Sequence, residues 1–188
     1  LFVCSTALMV LAFVGWSEQA RFIHAWTNFI SYFDGQVATS TGYRLELWRA
    51  SWLQFLDAPL FGVGQEGYLQ SKQALIDQGL VHPGIGQFGQ VHNQYFDLLA
   101  KRGFFGVLSL LVMLGVIVNF ASRHQSLAGK EGLALYLALA SSIAASLGFM
   151  LTQAFVSHNS GATVLAFWSL VLLATLANKG SPPPLAAS

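Results

Sequence analysis

VHNQYFDLLAKRGFFGV, residues Val91–Val107, carries an amphipathic helix through a glycine break and into a membrane span. Asn93 is a good N-cap, Asp97 complements the positive end of the helix, and Gly103 supplies the break. Tyr95, Phe96 and Leu99 are expected to form the packing side. His92 thereby falls where an outer loop meets the bilayer, a position suited to chemistry on a lipid-linked substrate.

The rest of the chain agrees with a membrane setting. Of its 188 residues, 54% are hydrophobic and only 9% charged. Soluble domains carry roughly 25% charged residues, so this is an integral membrane protein. Leu1 opens inside an apolar run without an initiator Met. Residues 1–188 are therefore expected to be one membrane-domain fragment, the C-terminal part of a longer polytopic protein. A cleaved signal peptide over the first 16 residues is the weaker alternative, since no basic segment precedes the run. A net charge of +1 leaves no basic stripe for phosphate backbones, which argues against a nucleic-acid partner. Cys4 stands alone in an apolar run, so neither a disulfide framework nor a thiolate metal site is expected.

Four apolar stretches are candidate spans: Leu1–Trp16, Phe104–Ala121, Gly132–Val156 and Ala162–Ala177. At about 1.5 Å per residue an 18-residue helix covers about 27 Å, close to a hydrocarbon core of roughly 30 Å. No strand-like alternation occurs, and backbone in lipid must satisfy itself, so the fold class is all-α and polytopic. Ala140, Ala144 and Gly148, with Ser142 and Ser146 beside them, form a small-residue stripe expected to face protein. Arg123, His124 and Lys130 crowd the loop Ser122–Glu131, and Lys179 follows the last span. These charges favour the cytoplasmic side. Both termini then lie inside, the loop 17–103 outside, and the turn Ser157–Gly161 on that same outer side. Residues 180–188, with Pro182–Pro184, read as a disordered tail.

The outer loop is not linker-like. Ser40–Asp57 has a Ser/Thr start and a stop at Pro59, so a helix is expected there. Its stripe of Leu45, Trp48, Trp52 and Phe55 suits a membrane interface, where Trp is favoured. Arg44 and Arg49 share this helix. Each either snorkels to headgroups and water or binds a phosphate. Phe61–Gly67 is a tight turn into a second helix, about Tyr68–Gln78. Its G-x-G follows a helix and lacks a third glycine, so it is no dinucleotide fingerprint. Gly79–Gln90 holds four glycines and one proline; it is expected to be mobile, a possible lid. His82 reads as a solvated loop residue. His158-Asn159 repeats the His-Asn pair and is explained as well by a polar cap.

The scattered histidines and acids show no metal-ligand spacing, and no G-x-S-x-G elbow is present. What the loop offers is arginine and histidine at a membrane surface. Arginine's planar fork binds paired phosphate oxygens without needing a metal. Imidazole titrates near neutral pH and suits removing a proton from a hydroxyl.

The order Arg44 with Trp48, then Pro59-Leu60-Phe61-Gly62-Val63-Gly64, then His92-Asn93, then Gly103 with Gly106 before a span resembles the O-antigen ligase and polymerase superfamily. The resemblance runs from about Arg44 to Leu111. It implies a metal-independent, inverting glycosyltransferase in the bacterial inner membrane, with a periplasmic catalytic loop and no cofactor. The donor would be a glycan on undecaprenyl pyrophosphate, and the acceptor lipid A–core, another lipid-linked glycan or a protein hydroxyl. It implies that His92 serves the acceptor and that Arg44 binds pyrophosphate; Arg49, which falls on no motif position, and Asn93 are taken as further substrate contacts. Ligase, polymerase and protein O-oligosaccharyltransferase are not separated by these residues. A lipid-linked glycan transporter is the rival from another class, but it would place ionisable residues within the spans.

Overall fold

The computed structural model describes residues 21–125, 129–157 and 159–180; the expected first span Leu1–Trp16 and residues 181–188 of the expected tail lie outside them. Helices dominate, and no strand forms among the described residues. Residues 21–33 are helical (α1). Thr39 accepts the Gly42 N–H at 3.0 Å and opens α2 (Ser40–Asp57), whose bounds are those expected from the Ser/Thr start and the proline stop. The next helix, α3 (Gly64–Asp77), begins before Tyr68 because Glu66 in its first turn complements the helix N-terminus. Three long helices follow: α4 (Gln94–Gln125), α5 (Gly129–Met150) and α6 (Asn159–Gly180). All three are long and apolar enough to cross a membrane, and they match the second, third and fourth expected spans.

The loop before α4 builds its own core. Leu47 and Ala50 of α2 bury against Val81 and Ile85, while Tyr68 of α3 buries against Val91 and Ala100. Fully burying a Leu- or Ile-sized side chain in water stabilises by ~1.5–3 kcal/mol, so this segment folds as a packed unit. Between α4, α5 and α6 the contacts come from Leu110, Leu114, Leu139, Ile143, Met150, Leu165 and Leu176. There, close packing rather than water exclusion holds the helices. The small-residue stripe of α5 supplies that packing only in part: Ser146 is buried beside Leu139, Ile143 and Met150, while Ala144 and Gly148 are exposed. The aromatic side of α2 continues into an exposed patch of Trp52, Leu56, Leu60, Phe61, Phe104 and Phe105, as expected at a membrane interface.

The glycine break at Gly103 is the joint of the fold. Gly103 has φ +62° and ψ −157° inside an otherwise continuous helix. The Phe104 and Phe105 N–H groups, cut off from their own helix, donate to Pro59 O at 2.8 Å and Leu60 O at 3.2 Å. Val63 N–H in turn donates to Ala100 O at 2.8 Å. The Pro59–Val63 turn is thus inserted into the ladder of α4. An added Cβ at Gly62 would lie 2.4 Å from Arg102 N, and one at Gly103 2.5 Å from Leu60 O, so backbone meets backbone.

The expected lid is fastened down. Pro83–Gln87 forms a 3₁₀ turn capped by His82, whose Nδ1 accepts the Gly84 N–H at 3.0 Å. Buried Lys72 donates to Ile85 O at 3.2 Å and to Phe88 O, and buried Glu46 accepts His82 N–H at 2.6 Å. Glu46 also accepts the Tyr32 hydroxyl at 2.6 Å, so one carboxylate joins α1, α2 and the turn. Burial first, then the nearby Lys101 charge, lowers the Lys72 pKa from its ordinary value. The unfolded segment therefore binds more protons between that lowered pKa and the ordinary lysine range, and stability rises with pH across that window. Hydrogen exchange should show residues 81–88 opening less readily as pH is raised there, after correction for intrinsic rates. Lys72→Met should remove the pH dependence and make opening easier.

Candidate active site

Arg44 and His92 line one cavity of about 350 Å³, together with Thr39, Ser40, Tyr43 and Phe88. Arg44 comes from the second turn of α2, past the Thr39 cap. His92 stands two residues before α4, at φ +56°. This left-handed conformation is uncommon for a residue with a Cβ, although His tolerates it better than most. It turns the chain from the 3₁₀ segment into the helix. Aromatic rings wall the space: Tyr43 lies 5.5 Å from Phe88, and Phe88 meets His92 edge-on at 6.2 Å.

His92 Nδ1 is buried and has no hydrogen-bond partner among the described residues. Leaving a polar atom in that state costs about 1–3 kcal/mol. An imidazole and a guanidinium that line one pocket are groups able to exchange a proton and to bind a phosphate, respectively.

The other expected site residues lie elsewhere. Arg49 is half-exposed, with Nη1 3.7 Å from Glu46 Oε1, and does not line this cavity. Five residues along a helix is about 140° around it, so Arg44 and Arg49 cannot share a side. Asn93 is buried and engaged at both ends of its amide. Its Oδ1 caps α4 by accepting the Tyr95 and Phe96 N–H groups at 2.9 and 3.2 Å, and its Nδ2 donates to Leu151 O at 2.9 Å. The structure gives it an anchoring place. His158 lies outside the described residues.

A polar network not foreseen from the sequence steadies this end of α4. Lys101 Nζ is 2.6 Å from Asp97 Oδ1, both side chains buried, and Ser157 Oγ donates to Asp97 Oδ2 at 2.7 Å. Gln94 accepts the Val156 and Ser157 N–H groups at 2.7 and 3.0 Å. The network, with Asn93, ties the start of α4 to the turn after α5, so the loop before α4 and the turn after α5 share one end of the bundle. Tyr95 and Phe96 pack as expected, Phe96 stacking on Trp48 at 5.5 Å. The deepest face is instead polar, because α4 is packed between the loop helices and α5–α6. Tyr68 lies beside this pair, its ring 4.8 Å from Lys101 Nζ; burial, then the Asp97 charge, pushes its hydroxyl pKa up. Among the described residues no three His, Cys, Asp or Glu side chains gather as a metal site would require.

Residues 1–111 match a family model described as O-antigen ligase, a stretch that includes the cavity and the Gly62–Gly103 joint. An uncharacterized protein of Haemophilus influenzae is 24% identical over 144 residues, which is 76% of this chain. The chain spans 36% of that relative's length.

Proposed function

Because the chain belongs to the O-antigen ligase family, we propose that its cavity is the transfer site of a periplasmic-face glycosyltransferase in a bacterial inner membrane. The donor is a glycan on undecaprenyl pyrophosphate and the acceptor a hydroxyl of lipid A–core. The observation that carries this reading is that Arg44 and His92, distant in sequence, line the same cavity. His92 takes the proton of the acceptor hydroxyl while that oxygen attacks the anomeric carbon. The bond from that carbon to the pyrophosphate oxygen breaks, and the pyrophosphate leaves as an anion facing Arg44. One displacement inverts the carbon. The guanidinium supplies the charge stabilisation that a metal provides elsewhere, so transfer proceeds with chelator present.

The test is transfer by the full-length protein in vesicles containing the lipid-linked donor and chelator. Arg44→Ala should lower kcat/KM by about 10²–10³-fold, the scale of losing one charge-stabilising donor. Arg44→Lys should recover part of it, since an ammonium is a point charge without the fork. Arg49→Ala should lower it by less than about fivefold, the scale of an exposed ion pair. Equal losses at Arg44 and Arg49 would defeat the assignment to this cavity, and chelator-sensitive transfer would defeat the metal-free mechanism.

A further inference from the structure

Two aromatic rings wall the Arg44–His92 cavity and take no part in the chemistry proposed for it. Tyr43 and Phe88 lie 5.5 Å apart with their planes tilted by 50°, and Phe88 in turn meets His92 edge-on. Both rings are held from outside the cavity. Tyr43 rests on the 3₁₀ turn, 5.9 Å from the His82 ring and so close to Gly84 that a Cβ there would stand 2.5 Å from Tyr43 Cε1. Phe88 is fixed through its backbone, because buried Lys72 donates to its carbonyl. The fastened turn therefore sets the shape of this wall.

Resting on the transferase reading for the presence of a sugar, we propose that Tyr43 and Phe88 hold the first pyranose of the donor by one ring face and so determine which glycans enter. The bond that breaks joins the anomeric carbon to the phosphate oxygen facing Arg44, and the acceptor oxygen arrives from the side of His92. The first sugar ring must then lie in the space that Tyr43 and Phe88 wall. The lining favours a ring face over a pattern of hydroxyls. Among the described residues around the cavity no carboxylate or carboxamide side chain is present, and the Thr39 hydroxyl oxygen is engaged by the Gly42 N–H. Sugar hydroxyls have few fixed partners there. The axial C–H bonds of a pyranose, by contrast, carry partial positive charge that suits the negative face of an aromatic ring. A pyranose with a bare C–H face fits this wall. One with an axial hydroxyl on that face leaves the hydroxyl unpaired, at a cost.

The test is transfer by the full-length protein in vesicles, with sugar-free undecaprenyl pyrophosphate, the leaving product, added as competitive inhibitor. Tyr43→Leu and Phe88→Leu keep apolar bulk and lose the flat face. Each should raise KM for the glycan donor about three- to tenfold, the scale of one aromatic contact, and leave the inhibition constant of the sugar-free carrier within about twofold. Tyr43→Phe keeps the ring and should recover most of the donor affinity. Arg44→Ala should weaken donor and sugar-free carrier alike, since it faces the group they share. Gly84→Ala, outside the cavity lining, should raise KM in the unaltered protein but not further in Tyr43→Leu, because its methyl acts through the Tyr43 ring. Equal weakening of donor and sugar-free carrier in the leucine variants, an unchanged KM in both, or losses confined to kcat would overturn the proposal while the transferase reading stands. No transfer by the unaltered protein would remove the transferase reading, and the sugar at this wall with it.

Discussion

Replacing His92 by glycine is expected to lower kcat for glycan transfer by about 10²–10⁴-fold while the protein stays as stable as before or gains slightly. The pairing of glycine with alanine at this position separates chemistry from backbone. At φ +56° any residue with a Cβ is held in a conformation costing roughly 1–2 kcal/mol that glycine does not feel. His92→Gly therefore removes the imidazole and relieves the backbone together. His92→Ala removes the imidazole and keeps the strain, so it should be equally inactive but somewhat less stable than the glycine variant. A histidine kept only for its turn would behave otherwise: His92→Gly would retain transfer. Single-turnover transfer in vesicles, set beside thermal unfolding in detergent, reads both quantities on each variant. Retained transfer in the glycine variant would remove His92 from the mechanism.

The features legible in the sequence are those set by local chemistry. Three apolar stretches became α4, α5 and α6 because a lipid-facing helix is written as a continuous run of apolar residues. The bounds of α2 follow from Thr39 and Pro59, which act on their own neighbours. The break at Gly103 follows likewise, since only a residue without a Cβ takes that conformation freely. The polar ties were hidden because their partners are far apart in the chain. Gly79–Gln90 reads as mobile from composition, but Lys72 and Glu46 hold it from other helices. Glu46 could have been suspected: it shares an i, i+4 face with the small residues Gly42 and Ala50, both buried with it.

The site was half legible for a related reason. Arg44 and His92 were singled out from residue type and the motif order, and they line one cavity. Arg49 was included as a second arginine of the loop helix, on no motif position, and Asn93 as half of the His-Asn pair, and neither residue type nor motif membership sets a side chain's direction. Arg49 is rotated away, and Asn93 spends its side chain on α4 and on Leu151. The Gly62 and Gly103 motif positions, which sequence order alone cannot relate, prove to be two sides of one contact.

That contact sets the second large effect. Gly103→Ala should destabilise the full-length protein by about 3 kcal/mol or more, combining left-handed strain with overpacking against the Leu60 carbonyl. Gly62→Ala, also at positive φ, should do the same from the other side, against the backbone of Lys101 and Arg102. Both changes push apart the same two backbones and break the Val63–Ala100 and Phe104–Pro59 hydrogen bonds. The double variant should therefore lose clearly less than the sum of the singles. Because Pro59–Val63 links α2, which carries Arg44, to α4, which follows His92, transfer should fall in each variant more than stability alone explains. Gly115 supplies the control: it lies in the same helix with open space around its missing Cβ. Gly115→Ala should be neutral or stabilising by up to about 1 kcal/mol, because alanine is the better helix former. Thermal unfolding of the four variants in one detergent decides the matter. Fully additive losses at Gly62 and Gly103, or losses no larger than at Gly115, would mean that the turn is not locked into the helix break and that Arg44 and His92 are held together by something else.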